Sequence, residues 1–281
     1  MDLSGKQAVP IVLVAILLIG IGMYIGLFIA APPQEPADHD VMYQVSTINT
    51  LLLGGFDGVY NFSTLETKGD FGIAVFDRLD GEVIAIDGKF YQIRADGTVY
   101  EVRGNDTTPF ATVTWFEPDR EVRIARADNF SDFTTQLEAA LSSPNLFYAI
   151  RIHGTFPMMK TRAVSRQEKP YPRLVDACAG QSVFMLNNTS GTIAGFYTPE
   201  MVEGLNIPGL HLHYLTDDLA AGGHILDFSV ENATVELDST SRFAMWLPEG
   251  DQYAGYDLGE DLSGELSQVE KGGAGNLSGT G

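Results

Sequence analysis

Short apolar runs separated by Asp-Gly turns constrain the fold of this chain more than any other feature of its sequence. Residues 69–116 contain five runs with the apolar and β-branched composition of strands, at 71–76, 82–86, 89–93, 98–102 and 110–116. Turn residues separate them, among them Leu79-Asp80-Gly81, Asp87-Gly88 and Ala95-Asp96-Gly97. Because such turns join neighbouring antiparallel strands, this region is predicted to form an antiparallel meander.

The rest of the body adds one clear helix and further strands. Apolar residues recur at helical spacing from Phe133 to Leu141 and predict a helix over 131–142, capped by Ser131 or Asp132. Strand patterns follow at 147–153, 183–187, 192–197, 210–215, 224–229, 232–237 and 242–246. Many strands with a few helices packed on a face predict an α+β fold with mostly antiparallel or mixed β-sheets.

A weak internal repeat predicts two pseudo-repeated halves in this body. The proposed halves are 41–145 and 146–270. A segment that starts at Gly72 aligns with one that starts at Gly209, and the second copy has the longer turn. The alignment places Val75 on His213 and Glu82 on His224, so Glu82 is expected at the edge of a cavity shared with the histidines.

The first forty residues differ in composition from the body. From Ala8 to Ala31 run 24 residues without a charged side chain, more than a helix needs to cross a hydrocarbon core of roughly 30 Å. We predict a transmembrane anchor or signal at 8–31, between a cytoplasmic N-terminus at 1–7 and a proline-rich linker at 32–40. The glycine-rich residues 271–281 are predicted to form a flexible tail.

Potential glycosylation sites point in the same direction as the apolar segment. Seven of the ten asparagines begin Asn-X-Ser/Thr sequons, more than the Ser and Thr content produces by chance. The sequence therefore predicts a membrane-anchored protein with an extracytoplasmic catalytic domain, or a secreted one if the apolar segment is cleaved.

Charge and cysteine content exclude some classes of protein. The formal net charge is -20, with 37 acidic and 17 basic residues, so a nucleic-acid partner is not expected. The single cysteine, Cys178, cannot form an internal disulfide or a thiolate metal cluster. We interpret it as a small apolar core residue, with a reactive nucleophile as the alternative.

Three of the five histidines lie within fourteen residues of each other, at His211, His213 and His224. Positions i and i+2 of a strand face the same side, so His211 and His213 can converge on one ion. Turn residues between 216 and 223 can return the chain and bring His224 alongside. Three neutral imidazoles suit Zn²⁺ and leave a coordination position open for water or substrate. The alternative is three solvated histidines on a hairpin.

Around these histidines the sequence resembles the α-acetolactate decarboxylase family over about residues 43–270. The similar stretches include GDFGIAVFDRLDGEVIAIDGKFYQIRADGT (69–98), KTRAVSRQEKPYPRL (160–174) and IPGLHLHYLTDDLAAGGHILDF (207–228). The resemblance assigns the zinc ligands to His211, His213 and His224. It also places active-site residues of the family on Glu82, Arg162 and Glu270.

The resemblance implies decarboxylation of 2-acetolactate, a 2-hydroxy-3-keto acid, to acetoin and CO₂. Arg162 would orient the anionic substrate, and Glu82 or Glu270 would donate the proton. Two positions depart from the family pattern: Val75 replaces an expected threonine, and His153 replaces an expected acidic residue. A homodimer is left open, because the sequence does not define an oligomeric state.

Two other functions are consistent with a His-X-His pair. A cupin-like oxygenase or isomerase places such a pair on a β-barrel with a carboxylate ligand, although no glutamate stands at the usual spacing here. A non-catalytic, anchored metal-binding module would hold zinc without a substrate pocket.

Overall fold

A computed structural model describes residues 39–270 of the chain. The chain divides into two units, Met1–Asp38 and His39–Gly281, and all the described residues belong to the second. The described residues 39–270 form fourteen strands: β1 (Met42–Val45), β2 (Tyr60–Asn61), β3 (Phe71–Val75), β4 (Glu82–Ile86), β5 (Lys89–Ile93), β6 (Val99–Glu101), β7 (Thr107–Thr108), β8 (Phe110–Thr114), β9 (Arg120–Ala127), β10 (Phe147–Ala163), β11 (Ser182–Thr198), β12 (Gly209–Thr216), β13 (Gly222–Thr240) and β14 (Phe243–Trp246).

Six α-helices lie among these strands. They are α1 (Ile48–Leu52), α2 (Phe62–Leu65), α3 (Phe130–Ala140), α4 (Leu174–Cys178), α5 (Asp251–Ala254) and α6 (Ser263–Glu270). Two short 3₁₀ helices occupy Asp77–Leu79 and Glu200–Val202. The predominance of strands with a few packed helices confirms the predicted α+β fold.

The first sheet has seven strands in the order β14-β1-β8-β3-β4-β5-β6. Strands β3 to β6 pair antiparallel in sequence order, as the Asp-Gly turns predict. At the β4–β5 turn, Asp87 and Gly88 have φ values of 51° and 76°, and two such residues form the turn that suits a tight hairpin. Strand β14 pairs parallel to β1, so the sheet is mixed.

The second sheet has the order β10-β11-β12-β13-β9, and β10 also pairs with β13. Strands β10 to β13 therefore close on themselves. Their enclosed face carries a core of large apolar side chains, including Phe156, Tyr214 and Phe228, and α3 adds Phe133 and Leu137 to it. A separate cluster that includes Ile73, Ile84, Ala194 and Leu215 joins residues of the two sheets.

A β-bulge interrupts the pairing of β10 with β13. Lys160 pairs with Asp227, but the next residue, Thr161, pairs with Ile225, so Leu226 has no partner on β10. The extra residue changes the alternation of faces along β13. As a result Ile225 and Phe228, three positions apart, both contribute to the same core cluster, and His224 lies opposite Arg162.

The structure refines several sequence predictions. The helix predicted over 131–142 runs over Phe130–Ala140. It begins one residue earlier than predicted because the N-cap is Asn129, whose side chain accepts a hydrogen bond from the amide of Asp132. Strand β9 was not predicted. Strands β10 and β11 are each 17 residues long and continue through Gly154 and Gly191, where shorter strands were predicted.

The predicted localisation needs correction. Across residues 39–270, the structure contains no helix that combines the length and the apolar character required to cross a membrane. A membrane-anchored protein with an extracytoplasmic domain is therefore not supported. The segment 8–31, on which that prediction depended, lies outside the described residues, as do the predicted linker before residue 39 and the tail at 271–281.

Candidate metal and active site

The three histidines meet because two neighbouring strands present them on one face. His211 and His213 are alternate residues of β12, and His213 is the direct partner of His224 on β13. The ring centroids are 5.0–5.5 Å apart. One nitrogen from each ring lies within 4.8 Å of the others, so the three histidines could hold a metal ion.

Hydrogen bonding fixes the chemical form of His213. Its Nδ1 lies 2.8 Å from the carbonyl oxygen of Val83, which can only accept, so Nδ1 carries the proton. Nε2 is then left with a lone pair, and it is buried without a hydrogen-bond partner. A histidine bound to metal in proteins characteristically donates its other ring N–H in this way. The first sheet thus orients an imidazole carried by the second.

The other two imidazoles complete a donor set. His211 Nε2 lies 3.1 Å from His224 Nδ1, and His224 Nε2 is a second buried nitrogen without a hydrogen-bond partner. Unpartnered buried nitrogens are costly unless a cation or a donor satisfies them. Three closely spaced imidazoles therefore fit a transition-metal ion of the zinc type.

Burial keeps these imidazoles neutral. Burial is the largest cause that lowers the pKa of His213, to about 3, and the charge of Arg162 acts in the same direction against the hydrogen bond to Val83. The pKa values of His211 and His224 also fall well below the ordinary value, chiefly through burial. Neutral imidazole is the form that binds metal.

Two carboxyl groups from separate elements, strand β4 and helix α6, lie against the histidines. Glu82 Oε2 is 3.8 Å from His213 Nε2, and Glu270 Oε2 is 3.6 Å from His224 Nε2. Glu82 begins β4 behind Gly81, which has a φ of 94° and whose position leaves no room for a Cβ, because it would lie 2.1 Å from the carbonyl oxygen of Ile93.

Burial also changes the acidity of these carboxyl groups. The pKa of Glu82 is raised by burial, which outweighs the opposing charge of Arg162. Burial and the neighbouring Glu82 raise the pKa of Glu270 to about 7, although Arg162 opposes them. Near neutral pH, Glu270 is therefore divided between a proton-donating and a proton-accepting form.

Arg162 supplies a buried positive charge beside these acids. It is 5 % exposed and lies on β10 directly opposite His224. Its Nη1 donates a hydrogen bond to the Sγ of Cys178 at 3.0 Å, and its Nε is buried without a partner. A buried guanidinium without a hydrogen-bonded carboxylate is suited to an anionic ligand.

A small cavity connects these groups. His211, Arg162, Glu82 and Glu270 supply its polar lining, and its apolar lining comes from Ile48, Leu51, Val75, Leu79, Phe110, Val164, Leu174, Ile207 and Val269. Val75, one of the departures from the family pattern, therefore lies on the cavity wall. A few convergent polar groups in an apolar pocket are characteristic of a small-molecule site.

The C-terminal helix α6 closes one side of this cavity. Leu266 and Val269 bury its apolar face in a cluster with residues of α1 and α4. Arg173 contacts Glu265 within α6 and Glu260 just before it, the second at 2.9 Å. These contacts place Glu270, the last residue of the helix, at the histidines.

Other polar residues near these strands lie on the surface. His153, the second departure from the family pattern, has a side chain that is 63 % exposed and contacts Thr192 and Asp217. Asp217 and Asp218 are exposed turn residues between β12 and β13. The contact of Cys178 with Arg162 was not predicted, since a lone cysteine in the sequence carries no signal for its partner.

Comparison with known proteins agrees with this geometry. The profile of the alpha-acetolactate decarboxylase family matches residues 42–260. An alpha-acetolactate decarboxylase of Methanosarcina mazei is 51% identical over 232 residues, which cover 83% of this chain and 81% of that protein. One from Bacillus licheniformis is 40% identical over 239 residues, covering 84% and 94%.

A solved structure extends the similarity to three dimensions. The crystal structure of alpha-acetolactate decarboxylase from Bacillus subtilis strain 168 superimposes with a TM-score of 0.79 at 38% identity, covering 82% of this chain and 99% of that one. Fold, site and relatives define the chain as an enzyme of the carboxy-lyase class. Within that class, the chain belongs to the alpha-acetolactate decarboxylase family.

Proposed function

We propose that the chain catalyses the zinc-dependent decarboxylation of 2-acetolactate to acetoin and CO₂, with His211, His213 and His224 as the metal ligands. One observation carries the proposal: three neutral imidazoles lie together, and one of them, His211, lines a small cavity with a buried guanidinium and two carboxyl groups. The named activity of the relatives supports the same reaction. The cupin-like and non-catalytic alternatives have no observation in their favour.

The substrate explains why these groups are needed together. In 2-acetolactate, the carbon that carries the carboxylate also carries a hydroxyl and adjoins a ketone. When the bond to the carboxylate carbon breaks, its electron pair moves toward the ketone oxygen, and CO₂ leaves. Zinc, when bound, supplies a Lewis acid that stabilises the negative charge on the hydroxyl–ketone unit. A proton added to carbon then gives acetoin.

Arg162 is proposed to hold the substrate carboxylate. Its charge is buried, and its Nε lacks a partner, so an anion entering the cavity would gain a charge-assisted hydrogen bond. When ionised, Glu82 and Glu270 would partly offset the positive charge of Arg162, but burial raises the pKa of each carboxyl group and so favours its neutral form. In their protonated forms they leave the guanidinium available to the substrate.

Glu82 or Glu270 is proposed to deliver the proton. Both face ring nitrogens of the metal ligands, and a carboxylic acid in a partly dry site can act as a general acid. The pKa of Glu270, about 7, lets this group give up a proton and recover it near neutral pH. Glu82→Gln and Glu270→Gln, compared for rate and for the handedness of the acetoin formed, separate the two roles.

The direct test measures acetoin and CO₂ release from 2-acetolactate with the full chain. We expect activity to fall after metal removal, to return with zinc, and to be absent in a His211→Ala/His213→Ala variant. The surface variant His153→Ala is the matched control and should keep full activity. A folded protein that binds zinc in stoichiometric amount but releases no acetoin would contradict the proposal.

A further inference from the structure

The guanidinium of Arg162 has an unusual surrounding for a buried charge. The hydrogen-bond partner that the described residues provide for its nitrogens is a neutral sulfur, the Sγ of Cys178, at 3.0 Å from Nη1. Buried arginines are more often paired with carboxylates, which cancel their charge. Here the two nearby carboxyl groups, Glu82 and Glu270, interact with Arg162 through their charge but form no hydrogen bond with it.

Cys178 is fixed in place by its own element. It is the last residue of α4, is 7 % exposed, and packs in the apolar cluster that also contains Leu174 and Leu266. Burial raises the pKa of its thiol, against the opposing charge of Arg162, so the group stays neutral. The thiol therefore offers Arg162 a weak acceptor that leaves its positive charge intact.

We propose that Cys178 is a positioning residue that holds Nη1 of Arg162 so that the guanidinium, which has no hydrogen-bonded carboxylate, faces the carboxylate of the substrate. The proposal rests on the proposed function of Arg162. Without the sulfur, Nη1 would have no partner and could turn toward Glu82 or Glu270. With a carboxylate in its place, Arg162 would be paired within the protein, and an anionic substrate would have to compete for it.

A neutral acceptor at this position thus makes the site selective for anions over neutral ligands of similar shape. The pair Cys178→Asn and Cys178→Asp tests this, because the two side chains have almost the same size and differ in charge. Cys178→Ser keeps a small neutral acceptor and serves as the conservative variant. Cys178→Val removes the acceptor and keeps an apolar side chain.

Two unreactive or product ligands give a measurement that does not depend on turnover. 2-Hydroxy-2-methylpropanoate carries the hydroxyl and the carboxylate but no ketone, and acetoin carries the hydroxyl and the ketone but no carboxylate. Their Kd values are measured by calorimetry on the zinc-loaded variants. KM and kcat for 2-acetolactate, zinc content and Tm are measured on the same samples.

We expect Cys178→Ser and Cys178→Asn to bind 2-hydroxy-2-methylpropanoate within a few-fold of the natural chain. Cys178→Val should weaken it about tenfold, the effect of one lost hydrogen bond to a charged group, and Cys178→Asp should weaken it further. Acetoin binding should not change in any of them. The KM for 2-acetolactate should follow the Kd of the hydroxy acid, and kcat should change less.

Two results would overturn the proposal. Equal Kd values for the hydroxy acid in Cys178→Asp and Cys178→Asn would show that charge at this position does not reach the ligand. A parallel loss of acetoin binding, zinc and Tm would show that Cys178 has only a structural role. Failure of the proposed function is distinguishable, because the natural chain would then release no acetoin from 2-acetolactate whatever the variants bind.

Discussion

Replacing Leu266 with alanine tests whether the docking of α6 controls catalysis. Leu266 is 9 % exposed and, with Val269, packs the helix against the cavity wall, while Glu270 ends the same helix. Truncating a buried leucine costs about 2–5 kcal/mol, and the lower end applies here because Leu266 keeps some exposure. About 2 kcal/mol corresponds to a factor of about 30 in the docking equilibrium.

This loss should appear as reduced activity before it appears as global unfolding. Helix α6 is the last element of the described body and is not part of either sheet, so it can detach locally while the sheets stay folded. Glu270 would then leave the neighbourhood of His224. We expect kcat/KM for 2-acetolactate to fall, by at most about 30-fold, with the zinc content unchanged.

Leu137→Ala is the matched control. Leu137 is fully buried in α3 and belongs to the core cluster of the second sheet rather than to the cavity wall. Both variants should lower Tm in a thermal melt followed by circular dichroism, and only Leu266→Ala should lower kcat/KM well below Tm. The reasoning is refuted if Leu266→Ala keeps full activity, or if the two variants lose activity equally.

Three further predictions concern pH, metal and backbone packing. Burial raises the pKa of Asp238 to about 6, so the folded state binds this proton more tightly than the unfolded chain does. The resulting stabilisation of the folded state is lost as pH rises from about 4 to about 6. Asp238→Asn should therefore raise Tm at about pH 7 and leave it unchanged near pH 4. Because burial lowers the pKa of His213 to about 3, zinc content after dialysis at about pH 5 should equal that at about pH 7 when measured by mass spectrometry. Gly195→Ala would place a Cβ 2.1 Å from the backbone oxygen of His211 and should lower both Tm and zinc content, unlike Gly154→Ala, whose Cβ meets nothing within 4 Å.

Local signals were sufficient to predict the meander from β3 to β6, but not the position of β8, which pairs with β3 and β1. The predicted strands 82–86 and 89–93 coincide with β4 and β5, because the residues of the Asp87-Gly88 turn determine the hairpin by their own conformational preferences. The long strands β10 and β11 were predicted as shorter pieces. Gly154 and Gly191 weaken the strand pattern locally, yet they pair with each other in the sheet, and this long-range pairing continues both strands.

The internal repeat has a counterpart in the strand pairing. The sequence alignment placed Val75 on His213 and Glu82 on His224. In the structure Val75 pairs with Glu82 on β3 and β4, and His213 pairs with His224 on β12 and β13. The two hairpins therefore use equivalent positions to bring Glu82 and the histidines together. The boundary of the halves at residue 145 stays a prediction.

The residues of the site differ in whether the sequence alone could indicate them. The spacing of His211 and His213 and the turn before His224 were sufficient to predict that the three imidazoles lie together, because alternate strand positions share a face and the turn returns the chain. Arg162 and the two glutamates entered only through the family resemblance, since isolated charged residues in strands carry no local signal. The contact of Cys178 with Arg162 depends on how α4 packs against β10, which no local pattern in the sequence encodes.

The unpaired Leu226 has a consequence for how this site can change over time. Since one residue more or less in β13 reverses the direction of every side chain beyond it, the alignment of Arg162 with His224 depends on strand length as well as on residue identity. Point substitutions can adjust the cavity wall one side chain at a time. A single-codon deletion at Leu226 itself would only remove the bulge, since Thr161 would stay opposite Ile225 and Arg162 opposite His224. One residue added between His224 and Leu226 would instead move His224 out of line with Arg162.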